Sequence, residues 1–364
     1  MTAEPAYDEP LVRFAPAKPD GQGAMPLGDD FFPGVAVPVQ AAERVMLPGE
    51  TSLQDLVTTR AERRCAAAPT RGWRGLLYRA TGLDVGSSAA ELRERGLVEQ
   101  VTASFTGTRR VLFVNPKGGV GKTTTCLGVA STFGTHRGRG VVAFDNNPTR
   151  GTLGLRAHQD THRRTVTDLL AELQQVRRVG DLSGYTRAQR DAHFAVLASD
   201  EDPRLAVARD EADYLAVLEV LDTFYEVLCV DTGNDVTAPV FTAALSSADQ
   251  LVVVTGASWD SAHSASWLLD HLVQHGHRQL VEGAVTVLSG PRGRDAVSLR
   301  EHFARRTRAV HDVPFDPVLE AGDEMHLADL RPATRRAWLE VSASIATGFS
   351  DRPRPAALPA TQET

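Results

Sequence analysis

The chain has 364 residues, 42% of them apolar and only 6% aromatic. That is enough for one large domain with an appendage, cored by small aliphatic side chains. A net charge of −7 argues against a surface coated for nucleic acid, while leaving room for a local basic patch. Three scattered cysteines (Cys65, Cys126, Cys229) show no CxxC pair, and no His accompanies them at metal-ligand spacing. They read as reduced thiols. The acidic, proline-bearing start MTAEPAYDEP lacks the regions of a secretory signal, and no run nears the ~18 apolar residues of a membrane span. A cytoplasmic location is expected.

Residues 1–50 are rich in Pro, Gly and acidic residues without apolar period, and are read as a disordered arm. Thr51-Ser52-Leu53-Gln54 has the form of a capping box and opens a helical appendage over 51–107, with pieces through Gly72–Tyr78 and Ala89–Phe105. From Arg110 the pattern changes to short apolar runs: Val111–Val114, Val141–Asp145, Phe194–Leu197, Val227–Asp231, Leu251–Thr255, Val285–Leu288 and Ala309–Val313. Helical stretches separate most of them: Lys122–Phe133, Val166–Val176, Asp210–Phe224, Ala238–Leu245, Trp259–His275 and Val297–Arg308. Such alternation predicts a doubly wound α/β domain over 108–350, with a mostly parallel sheet covered by helices on both faces. A last helix, Pro332–Phe349, carries Trp338, Val341, Ile345 and Phe349 at helical spacing and is expected on the sheet. Residues 351–364 read as a flexible tail.

Between the first strand and the first helix stands Lys117-Gly118-Gly119-Val120-Gly121-Lys122-Thr123-Thr124. Glycines let backbone N–H groups turn inward on phosphate oxygens, and the following helix points its positive end at the same anion. Lys122 is placed for the β- and γ-phosphates, and the Thr123 hydroxyl for Mg²⁺. Strand before, helix after and the whole string present make this a P-loop and ATP, with Mg²⁺, the expected cofactor.

Pro116-Lys117 stands where the usual P-loop string begins with glycine, and KGGVGKT with its extra lysine resembles the deviant Walker A of the MinD/ParA ATPases. The resemblance implies that Lys117 reaches across an ATP-sandwich homodimer to the partner's nucleotide. Phe224 to Gly233 resembles the family's Walker B, which implies a magnesium role for Asp231 at a strand's carboxyl end. Asp145-Asn146-Asn147-Pro148 is similar to the family's Asp-x-Asp-Pro switch, with Asp145 matching the first carboxylate and metal position. Asn147 replaces the second. An amide orients water but accepts no proton, so slow hydrolysis is expected. For the base, the family's late-strand Asn is Ser289 here, whereas Pro314 keeps its place beside the adenine.

The phrases GWRGLLYRATG (72–82), DNNPTRGTLG (145–154), ADQLVVVTGASWDSAHSASWLLDHL (248–272) and VPFDPVLEAG (313–322) are similar to one actinobacterial branch, the EspI-like MinD-type ATPases associated with type VII (ESX) secretion. That similarity spans roughly 70–350 and implies an accessory role beside the secretion machinery. Arg292, Arg294, Arg300, Arg305, Arg306 and Arg308 crowd one predicted helix; they are read as a solvated face, with non-specific DNA contact as the sharper alternative. The tail has no basic amphipathic helix, so direct membrane insertion is not expected. Histidines 271, 275 and 277 are read as surface residues, and Trp73, Leu76, Leu77, Tyr78, Trp259 and Trp267 as core. Three rival functions share the motifs: a DNA-tracking partition ATPase, a non-hydrolysing ATP-bound scaffold, and a biosynthetic synthetase of the same fold.

Overall fold

The computed structural model describes residues 72–81, 86–147, 151–158, 164–200, 209–291 and 295–350. The arm, the capping box at Thr51, the Trp73 side chain, Pro148, Arg292, Arg294 and the tail lie outside the described residues. Eight strands form one sheet: β1 (Arg109–Val114), β2 (Val141–Asn146), β3 (Arg187–Gln189), β4 (Phe194–Leu197), β5 (Val227–Thr232), β6 (Gln250–Gly256), β7 (Val285–Ser289) and β8 (Ala309–Val313). Their order is β3-β4-β2-β5-β1-β6-β7-β8. Every neighbouring pair is parallel except the edge hairpin β3–β4. The expected α/β architecture is therefore present.

Period-two alternation divides the apolar strands between two cores. Val111, Phe113, Val227, Cys229, Val252 and Val254 face one layer. Leu112, Val114, Leu228, Val230, Leu251 and Val253 face the other. The first layer is covered by α2 (Ala89–Thr102), α3 (Lys122–Arg137) and α13 (Pro332–Ser350). Helices including Glu211–Phe224, Pro239–Ser247, α9 (Trp259–Gln274) and Asp295–Ala304 cover the second.

Helix α2, inside the segment read as an appendage, packs on α3 and α13 and shares their core through Val101, Leu97 and Val98. Ser88 caps its start by accepting from the Glu91 N–H at 3.2 Å. At its end Arg137 donates to the carbonyls of Val101 and Ala103, two acceptors a helix terminus leaves open. The final helix does pack on the sheet, with Trp338, Val341, Ile345 and Phe349 buried. Trp259 and Trp267 correct the core expectation: they are 60% and 46% exposed on α9. Leu76 and Tyr78 are exposed too. The helix expected over Val297–Arg308 instead spans Asp295–Ala304, because Arg305–Arg308 turn into β8. Among the described residues no helix is long and apolar enough to cross a membrane.

The indole of Trp338 lies on Gly128 of α3, where an added Cβ would stand 2.6 Å from the ring. Gly128→Ala is expected to cost roughly 1–3 kcal/mol, as overpacking does. Gly96→Ala, in a helix where nothing lies within 4 Å, is expected to add up to about 1 kcal/mol. Urea unfolding of the two variants checks both signs.

Candidate functional site

β1 lies between β5 and β6, so the chain's crossovers leave the sheet in opposite directions from this strand, and a crevice opens at its carboxyl end. A cleft of about 730 Å³ occupies it. Its wall is formed by Gly119, Val120 and Gly121 of the loop after β1, Lys122, Thr123 and Thr124 of the first turn of α3, Asp231 and Thr232 at the end of β5 with Asn234 beyond it, and Gly256 and Ser289 at the ends of β6 and β7. Asn147, Arg156, Pro314 and Trp338 close the remaining sides.

The loop is built as its glycines predict. Gly119 and Gly121 have φ of +75° and +96°, in the region that favours glycine, and Gly121 hands directly into helix α3. Among the described residues no side chain caps that helix start, which leaves its first N–H groups open at the cleft. Asn115, which the motif does not declare, pins the loop's base. Its amide donates to the Val254 carbonyl at 2.7 Å and its oxygen accepts from the Lys117 N–H at 2.9 Å.

Lys122 is buried, and its ammonium donates to the carbonyl of Asn115 at 2.8 Å and to Asn234 Oδ1 at 2.6 Å. Burial lowers its pKa to about 8, against the pull of Asp231. Thr123 donates its hydroxyl to Asp231 Oδ2 at 2.6 Å. The other oxygen, Asp231 Oδ1, is buried and has no hydrogen-bond partner among the described residues. Burial, then the like charge of Asp145, pushes the Asp231 carboxyl up to about 7, against the Thr123 hydroxyl and Lys122. A carboxylate oxygen left without a donor beside a threonine hydroxyl is the donor set of a hard cation. Mg²⁺ fits there.

Asp145 takes a place behind this wall. It is fully buried, and its two oxygens accept the N–H groups of Asn147 at 3.1 Å and Leu153 at 3.2 Å, so the carboxylate ties its own loop together. Gly151 allows this: a Cβ there would stand 1.9 Å from Asp145 Oδ2. Arg209, also buried, donates to the Asn147 carbonyl at 2.6 Å and presents its charge to Asp145. Lys117 stands outside the cleft, paired with Asp260 at 2.7 Å, the two side chains 47% and 69% exposed. Gly118 lies against Asn234.

Sequence reading missed Asn115, Asn234, Arg156 and Arg209. Arg156 donates to the Thr124 hydroxyl and to the Leu319 carbonyl, bridging the loop's helix to the segment after β8. Asn115 and Asn234 sit within two or three residues of the recognised motifs; the two arginines carry no local signal. The expected basic face is largely engaged within the chain. Arg300 pairs with Asp312 and Arg306 with Asp270. Arg308 donates to the Gly283 and Ser344 carbonyls and to Gln250. Arg305 is exposed.

A raised carboxyl makes the folded state hold its proton longer than the unfolded chain. Asp231 therefore supports the fold below its ordinary 3.8 and loses that support as pH climbs to about 7. Without nucleotide, the melting temperature of wild type is expected to fall over that window more steeply than that of Asp231→Asn. Parallel curves between pH 4 and 8 would deny the strained carboxylate.

Residues 111–250 match the CobQ/CobB/MinD/ParA nucleotide binding domain. Over 285 residues the chain is 29% identical to the ESX-1 secretion-associated protein EspI of Mycobacterium tuberculosis, covering 77% of this chain and 42% of that one. The chain thus spans about two fifths of that relative's length. The ParA family ATPase of Chlorobium tepidum has a similar fold, with TM-score 0.57 at 18% identity over 65% of this chain and 98% of that one. Pyrococcus furiosus cell division ATPase MinD gives 0.52 at 20% over 66% and 98%. MinD of Pyrococcus horikoshii, complexed with Mg-ADP, gives 0.51 at 19% over 65% and 94%. Residues 111–250 are thus similar to the CobQ/CobB/MinD/ParA nucleotide binding domain, and the fold is that of the ParA and MinD structures.

Proposed function

We propose that this protein is an ATP-dependent switch that pairs two copies on Mg·ATP, hydrolyses slowly, and serves a protein partner of the type VII secretion machinery in the cytoplasm. The observation that carries the reading is the unpartnered Asp231 Oδ1 beside the Thr123 hydroxyl, at the mouth of the glycine loop. Magnesium, when bound with ATP, neutralises charge on the phosphates. The Thr123 hydroxyl and the Asp231 carboxylate would hold it. Lys122 exchanges its carbonyl and Asn234 partners for the β- and γ-phosphates, and the N–H groups of Gly118 to Thr124 take the remaining oxygens. Pro314 flanks the base.

Asn147 lines the cleft and supplies an amide where hydrolysis benefits from a carboxylate. Asp145 acts one step behind, holding the loop that presents Asn147. Its metal role is then indirect. Lys117 is held by an exposed pair with Asp260, worth no more than about 1 kcal/mol, which exchanges readily for a second copy's phosphates. The EspI likeness supports the secretion setting. Internal pairing of Arg300, Arg306 and Arg308 favours a protein partner over a DNA track.

Light scattering with Mg·ATP is expected to show wild type doubling in mass, with Lys117→Ala and Lys122→Ala staying at the monomer mass. Phosphate release from Asn147→Asp is expected to exceed wild type by roughly 100-fold, the lower end of what a positioned proton acceptor contributes. Equal rates would remove the assigned role of Asn147.

A further inference from the structure

We propose that His158, Glu324 and His326 form a binding site for a divalent transition metal of the zinc class, separate from the magnesium position. His158 Nδ1 lies 2.6 Å and His326 Nε2 3.0 Å from the same Glu324 oxygen. All three ligand atoms fall within 4.8 Å of one another. Ligands of a tetrahedral metal at ~2.0–2.1 Å stand about 3.3 Å apart, so a small outward turn of each ring admits the ion. Two imidazoles and a carboxylate suit zinc, cobalt or nickel and not magnesium, which takes oxygen donors.

Bonds that do not involve the three side chains hold both ligand-bearing segments in register. The His158 N–H donates to Gln189 Oε1 at 2.7 Å, and Gln189 is buried in edge strand β3. Met325, between the two other ligands, is buried and donates its N–H to the Arg156 carbonyl at 3.0 Å. Beside the triad opens a cavity of about 580 Å³, lined by His158, His326, Gln189 and Asp191. It leaves room for a water or further oxygen ligand to complete the coordination. The side chains are between 31% and 43% exposed, so the ion has a path from solvent.

Position gives the site a consequence. His158 follows the short helix α4 (Leu153–Arg156), and Glu324 follows the helix Pro317–Ala321. Arg156 of one segment and Leu319, Glu320 and Gly322 of the other line the nucleotide cleft. A metal at the triad would rivet two cleft walls together from behind. An alternative pair, His271 in the last turn of α9 and His275 just past its end, has ring centroids 4.0 Å apart and serves as the internal control.

The test is titration of the full chain with Zn²⁺ in excess Mg²⁺ and without nucleotide, followed by calorimetry, by the Zn²⁺-dependent rise in melting temperature, and by hydrogen exchange. Expected is a single Zn²⁺ per chain, slower exchange over 153–158 and 323–327, and at least ~10-fold weaker binding in His158→Ala, His326→Ala and Glu324→Gln. Unchanged melting of these variants in a chelator shows that they fold. Co²⁺ should give tetrahedral visible bands in wild type that vanish in His158→Ala. Binding that survives His158→Ala, disappears in the His271→Ala/His275→Ala double variant, or never occurs would overturn the site.

Discussion

Asp231 and Lys122, one carboxylate and one ammonium withdrawn from water at the carboxyl end of the sheet, set the terms for everything around them. Burial works against both charges, and each pulls the other back toward its ionised form. A fold gains nothing in stability from such an arrangement unless a ligand completes it. The glycine loop, the uncapped start of α3 and the donorless Asp231 oxygen are what a phosphate-bound cation would complete. Strain of this sort, placed where three strands end at a reversal of topology, belongs to binding rather than to folding.

The same pair explains why the periphery is built so tightly. Asp145 cannot add a third free charge nearby, and its oxygens are consumed by backbone N–H groups of its own loop. Gly151 and Arg209 make that closure feasible, one by leaving space and one by countering charge. On the opposite side Trp338 of the last helix wedges against Gly128 and reaches the cleft wall. A residue 216 positions along the chain from Lys122 thus supports the helix that Lys122 begins.

Much of this was legible from the residues, for physical reasons. A parallel sheet buried on both faces writes its strands as unbroken apolar runs, and Phe194–Leu197 emerges at those bounds; the edge strand Ala309–Val313 keeps its bounds although His311 and Asp312 interrupt the run. The edge strand Arg187–Gln189 is three residues, two of them polar, and has no period to read. Helix α3 outruns its expected end at Phe133 because Arg137 works on the neighbouring helix end rather than in the core. Trp259 and Trp267 were misread because bulk suggests burial, whereas their positions on α9 face outward. In the cleft, contiguous glycines and lysines announce the loop, while Arg156 and Arg209 act across sequence separations that spacing rules do not reach. His158 and His326 escaped for the same reason.

Calorimetric titration of nucleotide into the protein, with and without magnesium, decides whether the buried Asp231–Lys122 pair is completed by Mg·ATP. Saturable uptake of ATP is expected to tighten sharply when Mg²⁺ is present, with that gain lost in Asp231→Asn and all uptake lost in Lys122→Ala. Heat that is identical with and without magnesium, or absent under both conditions, would contradict it.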